Sequence, residues 1–160
     1  MSAVHLRELV FAGALVFLPA VAAADVVTEW NQKANESVLE AKIFPFAGTR
    51  VMAIVHTAMF DAINAVEGRY TPYKFTVSAP PGSSPEAAGL ASAHAALVKL
   101  FPEQKAALDA SYAASLAQIP DGTGKTAGIA VGEEVAAKVV AWRTSDGADV
   151  PNTYARSGGA

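Results

Sequence analysis

A chain of 160 residues with 12 Lys and Arg against 15 Asp and Glu, net charge −3, is long enough for one domain with its own core. Its charges are few and interspersed, which excludes the electrostatic footprint that nucleic acid or an anionic membrane surface would need. It contains no cysteine, so thiol nucleophiles, thiolate metal sites and disulfide staples are excluded and packing alone must hold the fold.

Residues Met1 to Ala24 have the pattern of a secretory signal peptide: a short polar start with His5 and Arg7, an apolar run from Leu9 to Val21, and Ala22-Ala23-Ala24 as a small-residue cleavage site. The apolar run is about a dozen residues, short of the roughly 20 a bilayer span requires. The expectation is cleavage before Asp25 and a periplasmic or secreted product with no membrane segment left.

From Asp25 to Lys42 the residues Val26, Trp30, Ala34, Val38 and Ala41 recur at helical spacing, predicting a first helix that Phe44-Pro45 closes. The sequon at Asn35-Glu36-Ser37 falls inside that helix and is taken as chance. Phe46 to Glu67 predicts the second and longest helix. One face carries Met52, Val55, Met59, Ala62, Ile63 and Val66, another carries Arg50, Thr57, Asp61 and Asn64, and Gly68 ends it. Tyr70 to Ser84, with Pro72, Pro80, Pro81 and Gly82, is a loop.

Ser84 as N-cap and Pro85 at the first position open a third helix with Leu90, Leu97 and Phe101 on its stripe and His94 in line. A fourth helix runs from Pro102 to about Gln118, showing Leu108, Tyr112, Leu116 and Ile119, and Pro120-Asp121-Gly122 turns the chain. The fifth, Thr123 to Thr144, places Val131, Val135, Val139 and Trp142 on one stripe and Gly128, Gly132 and Ala136 at every fourth position, where neighbouring helix axes can approach closely. No segment alternates with period two, so the expected architecture is all-α: five helices in a bundle-like arrangement over 25–147, followed by an irregular tail at 148–160.

Chemistry-bearing residues are sparse. Beyond residue 24 the only histidines are His56 and His94, each placed on an apolar helix face where the two could meet; hydrogen-bonded core histidines are the favoured reading over a metal or proton-transfer pair. Gly122-Thr123-Gly124-Lys125-Thr126 ends like a phosphate-binding loop, but Ile119 stands where the motif needs glycine and a helix precedes it where the motif needs a strand. Asp121, Asp146 and Asp149 lack the closing glutamate of a calcium loop and are expected in turns. Glu133 and Glu134 are adjacent helix positions pointing about 100° apart, which cannot share a substrate atom. No serine has a histidine placed to activate it. No catalytic, cofactor-binding or metal-ligating residue is assigned.

Four segments taken together carry a resemblance: Arg50 to Ala65, the capped third helix, Ile119-Pro120-Asp121-Gly122 leading into Lys125 to Gly132, and Arg143 to Gly147. In that order they resemble the N-terminal helical half of bacterial vanadium-dependent haloperoxidase-related proteins, of the phosphatidic acid phosphatase type 2 superfamily, from about Trp30 to Tyr154. The resemblance implies an all-α fold and, for a complete member, vanadate or phosphate held by a Lys and Arg pair before a proline, a Ser-Gly-His segment, and a later Arg and His. In this chain no arginine precedes a proline, Ser157-Gly158 runs on to Gly159, and no histidine follows His94. No site residue therefore carries over and no cofactor is assigned to this chain. The resemblance implies an exported scaffold portion, inactive alone, whose partner is a missing C-terminal half or a second copy. The competing reading is a stand-alone secreted helical module for binding or oligomerisation.

Overall fold

A computed structural model describes residues 25–151 and 153; the signal-peptide expectation and most of the tail lie outside the described residues. Five helices follow in order: α1 (Val26–Glu40), α2 (Pro45–Glu67), α3 (Pro85–Leu100), α4 (Lys105–Leu116) and α5 (Thr123–Arg143), with a single 3-10 turn at Pro102–Gln104 before α4. No strand occurs among the described residues, and the all-α, bundle-like expectation holds. None of these helices is long and apolar enough to cross a membrane.

The helix ends follow the local chemistry. The Asp25 carboxylate accepts from the Thr28 N–H, and the Ser84 hydroxyl accepts from the Ala87 N–H, so α1 and α3 each start on a side-chain cap, worth about 1 kcal/mol. Gly68 closes α2 at φ 65°, a left-handed conformation that glycine enters without steric cost. The fourth helix differs from expectation in its first turn. Pro102 starts a tighter turn there, and the buried Gln104 at its end donates from Nε2 to the Ser37 carbonyl of α1 at 3.1 Å.

α3 occupies the middle of the molecule and packs against α1, α2, α4 and α5. Every residue from Ala87 to Ala93 is buried, although the run is Ala-Ala-Gly-Leu-Ala-Ser-Ala. A helix surrounded on all sides cannot carry one large apolar stripe; small residues let its neighbours close in. The tightest approach is to α5: a Cβ placed on Gly128 or Gly132 would fall onto the carbonyl oxygen of Ser84 or Ala88, closer than real Cβ contacts come. Gly124 lies equally close to the Gly82 carbonyl, and its own carbonyl accepts from the Ser84 N–H at 2.9 Å. The larger core side chains, Trp30, Ile54, Met59, Leu90, Leu97, Val135 and Val139, fill the space around this seam.

On α2 the structure departs from the two-faced reading. Asp61 and Asn64 are buried beside Ala58 and Ala62, while Met52 and Ile63 are only half-buried. The two polar side chains hold the following loop. Asp61 accepts from the backbone N–H groups of Tyr73 at 2.6 Å, Lys74 at 3.0 Å and Phe75 at 2.9 Å. Asn64 accepts from the Tyr70 N–H at 2.8 Å and donates to the Tyr70 carbonyl at 2.7 Å. The loop that prolines keep from being helical thus has its backbone groups satisfied by side chains of the preceding helix.

Two substitutions test this account. Gly132→Val forces a branched side chain against the Ala88 carbonyl, and the urea-unfolding midpoint should fall by the equivalent of about 1–3 kcal/mol. Asp61→Asn swaps a three-fold acceptor for an amide that can no longer satisfy all three N–H groups, so amide exchange at Tyr73, Lys74 and Phe75 should accelerate with a global loss of about 2–3 kcal/mol.

Candidate functional site

The two histidines do not meet. His56 is exposed on α2, its Nε2 2.9 Å from the Asn31 side-chain oxygen on α1. His94 is half-buried on α3, its Nε2 2.9 Å from Oδ1 of Asp109 on α4. The expectation of a core pair is corrected: each imidazole is hydrogen-bonded, but to a different helix, and only His94 lies in the interior. Spacing along the chain could not reveal Asp109, because the two residues are brought together by the packing of α3 on α4.

His94 belongs to an aromatic cluster. Its ring stacks on Tyr112 with centroids 4.1 Å apart, and Trp30 presents its edge to both rings at 6.1 and 6.3 Å. Burial pushes the Tyr112 phenol up to about 12, with the Glu133 carboxylate adding to the effect, so it stays un-ionised. Beside Trp30, Ser115 is buried on α4. It accepts weakly from the indole N–H at 3.4 Å, and its hydroxyl has the Glu29 carboxylate at 2.6 Å and the Ser111 carbonyl at 3.0 Å as acceptors. Its partners include no imidazole, so it lacks the base a serine nucleophile requires.

The remaining candidates are structural. Lys125, in the glycine-flanked segment, donates to the Ile119 carbonyl at 3.0 Å and to Asp121 at 2.9 Å, tying the α4–α5 turn. Asp146 accepts from Arg50 Nε at 2.9 Å and pairs with Arg143 Nη2 at 2.9 Å, and Arg50 also donates to the Arg143 carbonyl at 2.7 Å. Asp149 lies in the exposed segment after α5 and shares no bond with Asp121 or Asp146. Glu134 pairs with Lys138 at 2.8 Å, apart from Glu133. Among the described residues no three acidic or histidine side chains converge as a metal cage.

Two concavities border α2. An open groove of ≈ 240 Å³ lies between α1 and α2, lined by the apolar and aromatic Val27, Met59, Phe60, Ile63 and Tyr70 and by the polar His56, Asn64 and Glu67. A smaller cleft of ≈ 50 Å³ lies between α2, the loop and α5, lined by Ala53, Ile54, Thr57, Tyr73, Val139, Trp142 and Arg143. Sequence reasoning missed both, because each is assembled from segments distant in the chain.

No protein-family model, curated protein or solved structure matches the chain. A vanadate centre, implied by the resemblance for a complete member, needs several cations and an imidazole around one oxyanion. These residues do not fit it: Arg50 and Arg143 converge on the Asp146 carboxylate, and neither histidine lines the cleft that holds Arg143.

The acidic groups set a pH dependence. The Arg50 guanidinium beside Asp146 holds its carboxyl below 3.8, the Ala148 N–H and Arg143 assisting. Asp109 is lowered likewise, first by Lys105 and then by His94. A carboxyl lowered in the folded state contributes stability that is present above the unfolded value and is lost as pH falls through the folded one. Asp146→Asn should therefore be less stable than the parent chain at pH 7. In acid well below 3.8 the two thermal midpoints should converge, which a series of melting curves reads directly.

Proposed function

We propose that the chain is the exported N-terminal helical portion of a protein similar to bacterial vanadium-dependent haloperoxidase-related proteins. It acts as scaffold, while the vanadate or phosphate chemistry belongs to residues it does not contain. The observation that carries this reading is the mutual engagement of the segments on which the resemblance rests. Arg50, at the start of the α2 run, bonds Asp146 in the Arg143 to Gly147 segment. Asp61 and Asn64 of the same run clamp the loop ahead of the capped third helix, and Gly128 and Gly132 seat that helix against α5.

A second reading, a helical module that binds a partner or a second copy without catalysis, is favoured by the apolar surface. Phe60 and Tyr70 stand 40% and 66% exposed at the α1–α2 groove, and Phe44 and Phe46 stand 70% and 80% exposed together at the α1–α2 turn. Both readings predict that the isolated chain is inactive.

Purified chain supplied with vanadate, hydrogen peroxide and bromide should give no halogenation of a phenolic acceptor above the protein-free rate, and no phosphatase activity with vanadate omitted. Turnover in either assay would overturn the scaffold reading. Dye binding and melting separate the two readings: half of a shared core should bind a hydrophobic dye or aggregate, and a complete module should melt cooperatively without doing either.

A further inference from the structure

The groove between α1 and α2 joins an apolar lining to a single carboxylate. Val27 of α1 and Met59, Phe60 and Ile63 of α2 supply the apolar surface, Tyr70 of the following loop stands beside Phe60, and Glu67 supplies the carboxylate. Among the described residues that line it there is no lysine or arginine. Met59 is buried, whereas Phe60 and Tyr70 are exposed, with ring centroids 6.3 Å apart and planes tilted by 32°. A ligand arriving from solvent therefore meets two aromatic rings and one negative charge.

Two of the three polar lining residues are engaged by their neighbours. His56 Nε2 is 2.9 Å from the Asn31 side-chain oxygen, and Asn64 both accepts from and donates to the Tyr70 backbone. Glu67 is held less firmly. Its ion-pair partner is Arg69 Nε at 3.5 Å, beyond the roughly 2.7–2.9 Å of a charge-assisted hydrogen bond, and the two side chains are 32% and 68% exposed. An exposed pair of this kind is worth about 1 kcal/mol or less, so a second cation can displace it. The same corner carries a further source of negative potential: α2, 23 residues long, ends at Glu67 with no basic residue in its last turn. The carbonyl end of its dipole is left to attract a cation from elsewhere.

We infer that this groove binds a small arylalkylamine, its ring against Met59 and Ile63 and its ammonium at the Glu67 carboxylate beside Phe60 and Tyr70. An ammonium near an aromatic face is attracted by the ring quadrupole, and the carboxylate adds to that attraction. An anionic ligand would meet like charge at Glu67 and at the helix end. A wholly apolar one would desolvate Glu67 with nothing in return. Size agrees with this chemistry: an apolar cavity of about 150 Å³ holds benzene, so ≈ 240 Å³ admits one ring with a short arm. The site is separate from the vanadate or phosphate chemistry of the proposed function and stands whether or not that reading does.

The test is a titration of the full chain, carbon-13 labelled at its methionine methyls, with 2-phenylethylamine at neutral pH and constant ionic strength set with sodium chloride. Met59 lines the groove and Met52 does not, so a saturable shift is expected at Met59 and none at Met52. 2-Phenylethanol has a similar shape without the charge and should bind at least about tenfold more weakly. The anionic 3-phenylpropionate should give no saturable shift.

Glu67→Gln should weaken the amine about tenfold and leave the alcohol unchanged, with the same melting temperature, because the side chain sits at the exposed end of α2. Phe60→Ala, at a residue 40% exposed, should weaken both ligands. Equal affinity for the alcohol, amine binding unchanged by Glu67→Gln, a Met52 shift matching that of Met59, or shifts that never saturate would each overturn the assignment. So would a Met59 resonance that moves on dilution without amine, because a second copy of the chain would then occupy the groove.

Discussion

The close approach of α3 and α5 is the constraint on which the rest of the structure depends. The carbonyl oxygens of Ser84 and Ala88 lie where a side chain on Gly128 or Gly132 would have to begin, so the two helices pack backbone against backbone along that seam. With α3 held there, its remaining sides are open to α1, α2 and α4, and the run Ala87 to Ala93, small at every position but Leu90, accommodates all of them. A single larger residue in the seam would push α5 outward, carrying Arg143 and the following Asp146 away from Arg50.

The second organising element is the polar equipment of α2. In an isolated helix Asp61 and Asn64 would be solvated; here they are buried and satisfied by five backbone-directed bonds to residues 70–75. Hydrogen bonds to an ionised acceptor are among the stronger ones in proteins, and three of these five end on one carboxylate. The long loop is thereby placed alongside α2, and its Tyr70 becomes a wall of the groove that α1 completes. Fold and candidate site thus share one cause, since the residues that fix the loop also shape the concavity.

Much of the fold was legible in the sequence because helical periodicity, caps and breakers are local signals. Ser84-Pro85, Gly68 and Pro120-Asp121-Gly122 each mark a boundary that the backbone respects to within a residue or two. The recurrence of Gly128, Gly132 and Ala136 at every fourth position correctly pointed to close helix packing. The burial of Asp61 was not legible, because a carboxylate on a helix is ordinarily solvent-facing and its partners lie in a loop with no periodic pattern. The His94–Asp109 and Arg50–Asp146 pairs were equally hidden: each joins positions on different elements, and nothing local singles out which acid among several will be the neighbour.

The seam of small residues also bears on how stability varies with temperature. Glycine and alanine expose little apolar area when the chain unfolds, and the heat capacity of unfolding follows that area. Contacts of this kind draw more on dispersion between closely apposed backbones than on release of water. Along α3 and α5 the molecule therefore gains cohesion with a smaller heat-capacity increment than a leucine-lined interface of equal length would bring, which flattens its stability curve and weakens its tendency to unfold in the cold.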